Sequence, residues 1–290
     1  MFPRRLEFAL KLCVSLTLLA RGWLTWRWDS PIRGLIWKED WWSGILEQQT
    51  NLTWNEFAMI SDPGITNLLA GLGITLMVLA VVPWIPLTAS KWRWVRWLLV
   101  PATLILVLDS VARWVGMEFD FGMAIEHSLQ MLAPVLLLIA TGHGNRKKLW
   151  IAVVTVGAAL TFVGHGLYAV GFHPVPLSYQ TMTMKLLGCS QDFALVFLQV
   201  VGWLDFVAAA CLFIRPLRSA GLIYMVGWGL ATAVARVASH FSLAGLDPWM
   251  AETLVRTSHW LLPLILLGVI LKSDRSRFKK SIELASTKVI

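Results

Sequence analysis

The sequence predicts an all-α integral membrane protein with eight transmembrane helices arranged as two four-helix bundles and both termini cytoplasmic. Three observations carry this. Of 290 residues, 57% are hydrophobic and 14% charged, whereas soluble domains hold about a quarter charged residues. Eight apolar segments approach the roughly 20 residues that cross a bilayer, at about 7–24, 64–86, 95–115, 123–141, 149–170, 193–214, 217–240 and 253–271. Lysine and arginine also gather on alternate connections. One side carries Arg4, Arg5, Lys11, Lys91, Arg93, Arg96, Arg146, Lys147, Lys148, Arg215, Arg218 and six more in the tail. The other side has only Arg27, Arg33, Lys38 and Lys185, with eleven acids. Cytoplasmic loops hold the positive excess, which sets the orientation.

The first segment follows a basic start, like a signal peptide, but no small-residue cleavage site follows it, so it reads as a retained helix. The connection at 25–63 lies on the outer side and holds Trp26, Trp28, Trp37, Trp41, Trp42 and Trp54 among acids. Tryptophan favours the headgroup region, so this stretch reads as amphipathic pieces on the membrane surface, either anchoring the protein or covering a site. Asn51-Leu52-Thr53 fits the short glycosylation pattern, which is frequent by chance. Met182 and Met184, in SYQTMTMKLLG, suggest an amphipathic outer segment before the sixth span. The three cysteines, Cys13, Cys189 and Cys211, form no CxxC pair and no disulfide framework. The net charge of +8 is spread over short loops rather than one soluble face, which argues against nucleic acid as a partner.

The two halves resemble one another. HSLQMLAPVLLLI (127–139) in the fourth span aligns with RTSHWLLPLILLG (256–268) in the eighth, pairing His127 with Arg256, Gln130 with His259 and Pro134 with Pro263. Val111-Ala112-Arg113 answers Val234-Ala235-Arg236, and Arg21-Gly22 before Pro31 parallels His165-Gly166 before Pro174. The common order of these matches predicts a parallel four-plus-four duplication. The repeats run over 1–148 and 149–272, followed by a basic cytoplasmic tail at 273–290.

Ionisable residues inside a bilayer are costly, and they face a bundle interior, find partners or mark a functional path. Arg21, Asp109, Arg113, Glu126, His127, His165, Asp205, Arg236, His240, Arg256 and His259 all fall within or at the ends of the predicted spans. Only Asp205 sits near mid-depth; the others converge on the outer leaflet and predict an outward-facing polar cavity. Residues four apart share a helix face, so Asp109 is expected to pair with Arg113. Arg236 would share a face with His240, which is then neutral or turned toward Glu126 or Asp205. His143 reads as a loop residue on the cytoplasmic side, while His173, before Pro174, is either a turn residue or an extension of the outer cluster.

This cluster admits several chemistries. A haem or metal site would use His127, His165, His240 and His259, but no HxxxH or ExxH pair occurs and the neighbouring arginines repel a cation. A quinone or an anion suits it better. Asp205 would exchange protons, His165 and His240 would contact the headgroup, and Arg113, Arg236 and Arg256 would clamp a carbonyl or anion, with Glu126, His127 and His259 completing the site. A scaffold or assembly role would instead leave the polar residues tying helices together, and a small-anion transporter is a further alternative.

The second half resembles the DoxX-like family of small four-helix bacterial membrane proteins. The resemblance rests on Gly164-His165-Gly166, on HPVPLSYQTMTMKLLG, and on GWLDFVAAACLFIRPLRSAGLIYM (202–225). Gly202, Asp205 and Ala208-Ala209-Ala210 match a glycine, an acid and a small-residue stretch, with Asp where Glu is common. It covers about 150–271, and more faintly 7–141 through the repeat. The first half departs from the pattern, having Arg21 for His165 and no acid equivalent to Asp205. The resemblance implies a multi-pass protein of the bacterial inner membrane, either a quinone-linked redox subunit facing the periplasm or a partner that matures or anchors other membrane or periplasmic subunits.

Overall fold

The computed structural model describes residues 4–142, 144 and 146–287, so His143 and the last three residues of the basic tail lie outside the described residues. The regular secondary structure of the described residues is all helical, with no strand among them. In chain order the α-helices are α1 (Arg4–Arg27), α2 (Ile32–Ile36), α3 (Glu39–Thr50), α4 (Trp54–Leu79), α5 (Leu99–Gly116), α6 (Phe121–Glu126), α7 (Ser128–Thr141), α8 (Lys147–Ala169), α9 (Leu177–Leu187), α10 (Gln191–Cys211), α11 (Arg218–Ser239), α12 (Leu246–Val255) and α13 (Thr257–Thr287). Two 3₁₀ helices, Val82–Trp84 and Ser90–Leu98, link α4 to α5. Among the described residues, eight segments are long and apolar enough to cross a membrane.

The second such segment begins earlier than the apolar run at 64–86. Thr53 caps α4: its Oγ1 accepts from the Glu56 amide, and its own amide donates to Glu56 Oε2 at 2.8 Å. This reciprocal cap fixes the helix start at Trp54. The polar stretch Ser61-Asp62-Pro63-Gly64 then lies inside the helix, with Pro63 tolerated there. The Trp-rich connection shortens accordingly and folds as α2 and α3. Arg33 ties it down by reaching Asp29 at 2.5 Å, Asp62 at 2.7 Å and Thr66 at 3.0 Å.

The fourth and eighth segments are not single helices. The first breaks between α6 and α7 at His127 (φ −92°, ψ 8°), and the second between α12 and α13 at Arg256 (φ −82°, ψ 3°). These dihedrals lie in the sparsely allowed bridge region, which interrupts a helix without proline or glycine. After each break a hydroxyl reaches back three residues, Ser128 to the Ile125 carbonyl at 2.7 Å and Ser258 to the Val255 carbonyl at 3.5 Å.

Close backbone approaches join α1 to α4 and α8 to α10. A Cβ at Gly22 would lie 2.5 Å from the Gly73 carbonyl oxygen, and one at Gly166 would lie 2.6 Å from the Phe206 ring and 3.0 Å from the Gly202 carbonyl oxygen. Small residues let helices approach in this way where burial of apolar surface gives no net gain over lipid. The buried core is continuous across both halves: Leu18 of α1, Leu106 of α5, Leu136 of α7, Phe162 of α8, Ala209 of α10 and Leu262 of α13 belong to one cluster. Outward faces carry exposed Leu68, Leu104, Val156, Trp203, Ile223 and Val234, as expected of surfaces that meet lipid.

Candidate functional site

A cavity of about 200 Å³ lies among α8, α9, α10, α11 and α13. Most of its wall is apolar, including Phe162, Met182, Leu198 and Trp228, while His165, Tyr179, Asp205, Arg236 and His259 supply ionisable groups. Leu186 and Leu187 line it as well and remain half exposed.

The GHG triplet explains how His165 enters this site. A Cβ at Gly164 would meet Glu126 Cα at 2.8 Å, and one at Gly166 would meet the Phe206 ring, so α8 lies against α6 on one side and α10 on the other. The histidine between them reaches Glu126 Oε1 at 3.4 Å and the Tyr179 hydroxyl at 3.1 Å, both through Nδ1. Its ring stands edge to face with His259, centroids 5.2 Å apart. Tyr179 comes from α9, outside the spans; burial, reinforced by the Glu126 carboxylate, raises its phenol above the ordinary range.

Asp205 is 1% exposed and accepts a hydrogen bond of 2.9 Å from the Tyr224 hydroxyl. Arg236 is 6% exposed, and its Nη1 lies 3.9 Å from the Met182 sulfur. Its Nε has no hydrogen-bond partner among the described residues. A guanidinium this deeply buried normally sits against a carboxylate. Here the cavity takes that place.

A second polar cluster adjoins the first. Arg21 of α1 donates through Nη2 to Gln130 Oε1 at 2.8 Å, and its Nε lies 3.6 Å from Asp109 Oδ2, which also accepts from Arg113 Nε at 3.0 Å. Gln130 Nε2 sits 3.3 Å from His259 Nε2. With the amide donating, the His259 ring proton is on Nδ1. Arg256 pairs with Glu252 one turn earlier in α12. His127 stands at the α6–α7 break, within Coulombic range of Arg113, Arg21 and Arg256.

The residues singled out by the sequence therefore fall into three places. Asp205, His165, Arg236 and His259 share the cavity, with Glu126 behind His165. Arg113, Arg256 and His127 belong to the second cluster, where the expected Asp109–Arg113 pair forms. His240 joins neither and does not turn toward Glu126 or Asp205. Its ring stacks on Trp249 at 3.8 Å, and its Nδ1 lies 2.8 Å from Ser239 Oγ and 3.1 Å from the Arg236 carbonyl oxygen. The cause is local, because α11 ends at Ser239 and His240 serves a carbonyl that the helix end leaves free. His173 also stands apart from the cavity, bonded at Nδ1 to Asp120 (3.2 Å) and at Nε2 to the Gly122 amide (3.1 Å), which fixes the α8–α9 connection to α6. Sequence reasoning missed Tyr179, Tyr224 and Gln130 as site residues, and it left out Glu252.

Among the described residues no three His, Cys, Asp or Glu side chains are grouped so as to hold a metal ion. No protein-family model matches this chain, and no curated protein or solved structure resembles it at a significant level.

Proposed function

We propose that this protein binds a quinone or quinol in the α8–α11 cavity, as a membrane subunit or accessory protein of a redox system facing the periplasm. One observation carries the reading: Arg236 and Asp205 line the same apolar cavity, and each points a different hydrogen-bonding character at it. A quinone ring is flat and apolar, with oxygens at opposite ends. Arg236 and His165 are donors for a carbonyl oxygen, and the Asp205 carboxylate is an acceptor for a quinol hydroxyl. An apolar wall with a few convergent polar groups is the usual form of such sites. The half-exposed Leu186 and Leu187 offer an apolar tail a way out toward lipid.

The orientation in this proposal rests on the loop charges, and the inner-membrane location on the DoxX-like resemblance. Supporting a duplicated DoxX-like unit, the breaks at His127 and Arg256 and the glycine contacts at Gly22 and Gly166 recur at the positions that the internal alignment pairs.

The test is equilibrium dialysis of the detergent-purified protein against a quinone bearing a ten-carbon tail, comparing wild type with Arg236→Gln. Loss of a charge-assisted hydrogen bond weakens binding about tenfold or more. Equal affinity in the two proteins, or none in wild type, would overturn the reading.

A further inference from the structure

We infer a second ligand site, separate from the cavity, where Arg21, Asp109, His127 and Arg256 would hold an oxyanion that carries a hydroxyl group. Apart from Arg21 Nε, which faces Asp109 Oδ2 at 3.6 Å, four buried polar atoms of this cluster lack a hydrogen-bond partner among the described residues: Arg21 Nη1, Asp109 Oδ1, His127 Nδ1 and Arg256 Nε. They come from α1, α5 and the two helix breaks. Arg21 is 2% exposed, Asp109 3% and His127 6%. A native interior leaves few such groups unmet, and each carries a substantial desolvation penalty.

The chemistry of the four atoms specifies the ligand. Two are guanidinium donors, His127 Nδ1 donates in one tautomer, and Asp109 Oδ1 only accepts. The matching group is rich in acceptors and has at least one O–H. Charge agrees. Arg113, Asp109, Glu252 and Arg256 all lie within Coulombic range of Arg21, so three guanidinium groups face two carboxylates and one positive charge is left over. Adding Arg236 and Glu126 at the margin leaves that surplus unchanged.

Helix ends reinforce it. α7 starts directly after His127 and α13 directly after Arg256, so two helix N-termini, each with partial positive charge, adjoin the cluster. Broken membrane helices direct their half-helix N-termini at anionic groups in this way. The side chains of Arg113 and Glu252 are 26% and 24% exposed, which gives the cluster an accessible rim.

Free hydrogen phosphate and a phosphoglycerol lipid headgroup share this chemistry, and one experiment separates them. Thermal unfolding of the delipidated full chain is followed in sodium phosphate and in sodium chloride at matched ionic strength. A parallel series uses nanodiscs of phosphatidylcholine with and without phosphatidylglycerol. The midpoint should rise on the order of 5 °C at saturation in one series, which identifies the source. Arg21→Gln and Arg256→Gln should abolish that rise, and Asp205→Asn should retain it because Asp205 belongs to the cavity. If Arg21→Gln does not insert, the comparison rests on Arg256→Gln, whose side chain is less deeply buried. No rise in either series, or an undiminished rise in Arg256→Gln, overturns the site.

Discussion

Arg236 of α11 and Asp205 of α10 line one apolar cavity without pairing: the carboxyl group takes a hydrogen bond from Tyr224, while Arg236 Nη1 lies 3.9 Å from the Met182 sulfur and its Nε has no hydrogen-bond partner among the described residues. A direct Arg236–Asp205 contact would close the space between them. Kept apart, they leave it a donor side and an acceptor side.

A buried arginine without an acid partner costs stability. Arg236→Met should therefore raise the unfolding midpoint of the ligand-free protein, by the equivalent of at least about 1 kcal/mol, while removing quinone binding. Thermal melts and dialysis on the same preparation would show the opposite signs. A destabilised Arg236→Met protein would mean that the guanidinium has a structural partner.

Tyr224→Phe deprives Asp205 of its hydrogen bond and leaves a buried acceptor unmet, a loss of about 1–3 kcal/mol. In Asp205→Asn the same phenol can still donate, so that variant should fold nearly as well as wild type and lose binding. The double variant should show non-additive stability, since both changes act on one bond. A strictly additive double variant would separate the two residues.

Gly22→Ala should destabilise the α1–α4 contact by about 1–3 kcal/mol, because its Cβ would lie 2.5 Å from a backbone oxygen that cannot turn away. Gly71→Ala is the control: nothing lies within 4 Å of a Cβ there, and alanine favours the helix. Unfolding midpoints in detergent should fall for the first and hold or rise for the second.

The spans were legible because an apolar run of bilayer length is rarely anything but a membrane helix, and the charged residues inside those runs pointed to Asp205, His165 and Arg236. What stayed hidden had no such contrast. Tyr224 and Gln130 are neutral side chains that occur in any helix, and Tyr179 reaches the site from a connecting helix. Neither break carried a proline or glycine at the broken residue, so α6–α7 and α12–α13 read as continuous. His240 was misplaced for a related reason: the four-residue spacing from Arg236 assumed a helix that ends one residue too soon. Whether the outer arginines met the cavity depended on helix rotation, which an apolar pattern does not specify when lipid faces are apolar too.

The most direct measurement is native mass spectrometry of the protein released gently from its own membrane, wild type beside Asp205→Asn. Wild type should retain a quinone-sized mass that the variant lacks. An identical small-molecule complement in both proteins, or partner subunits with no small molecule, would contradict the account and favour a scaffold.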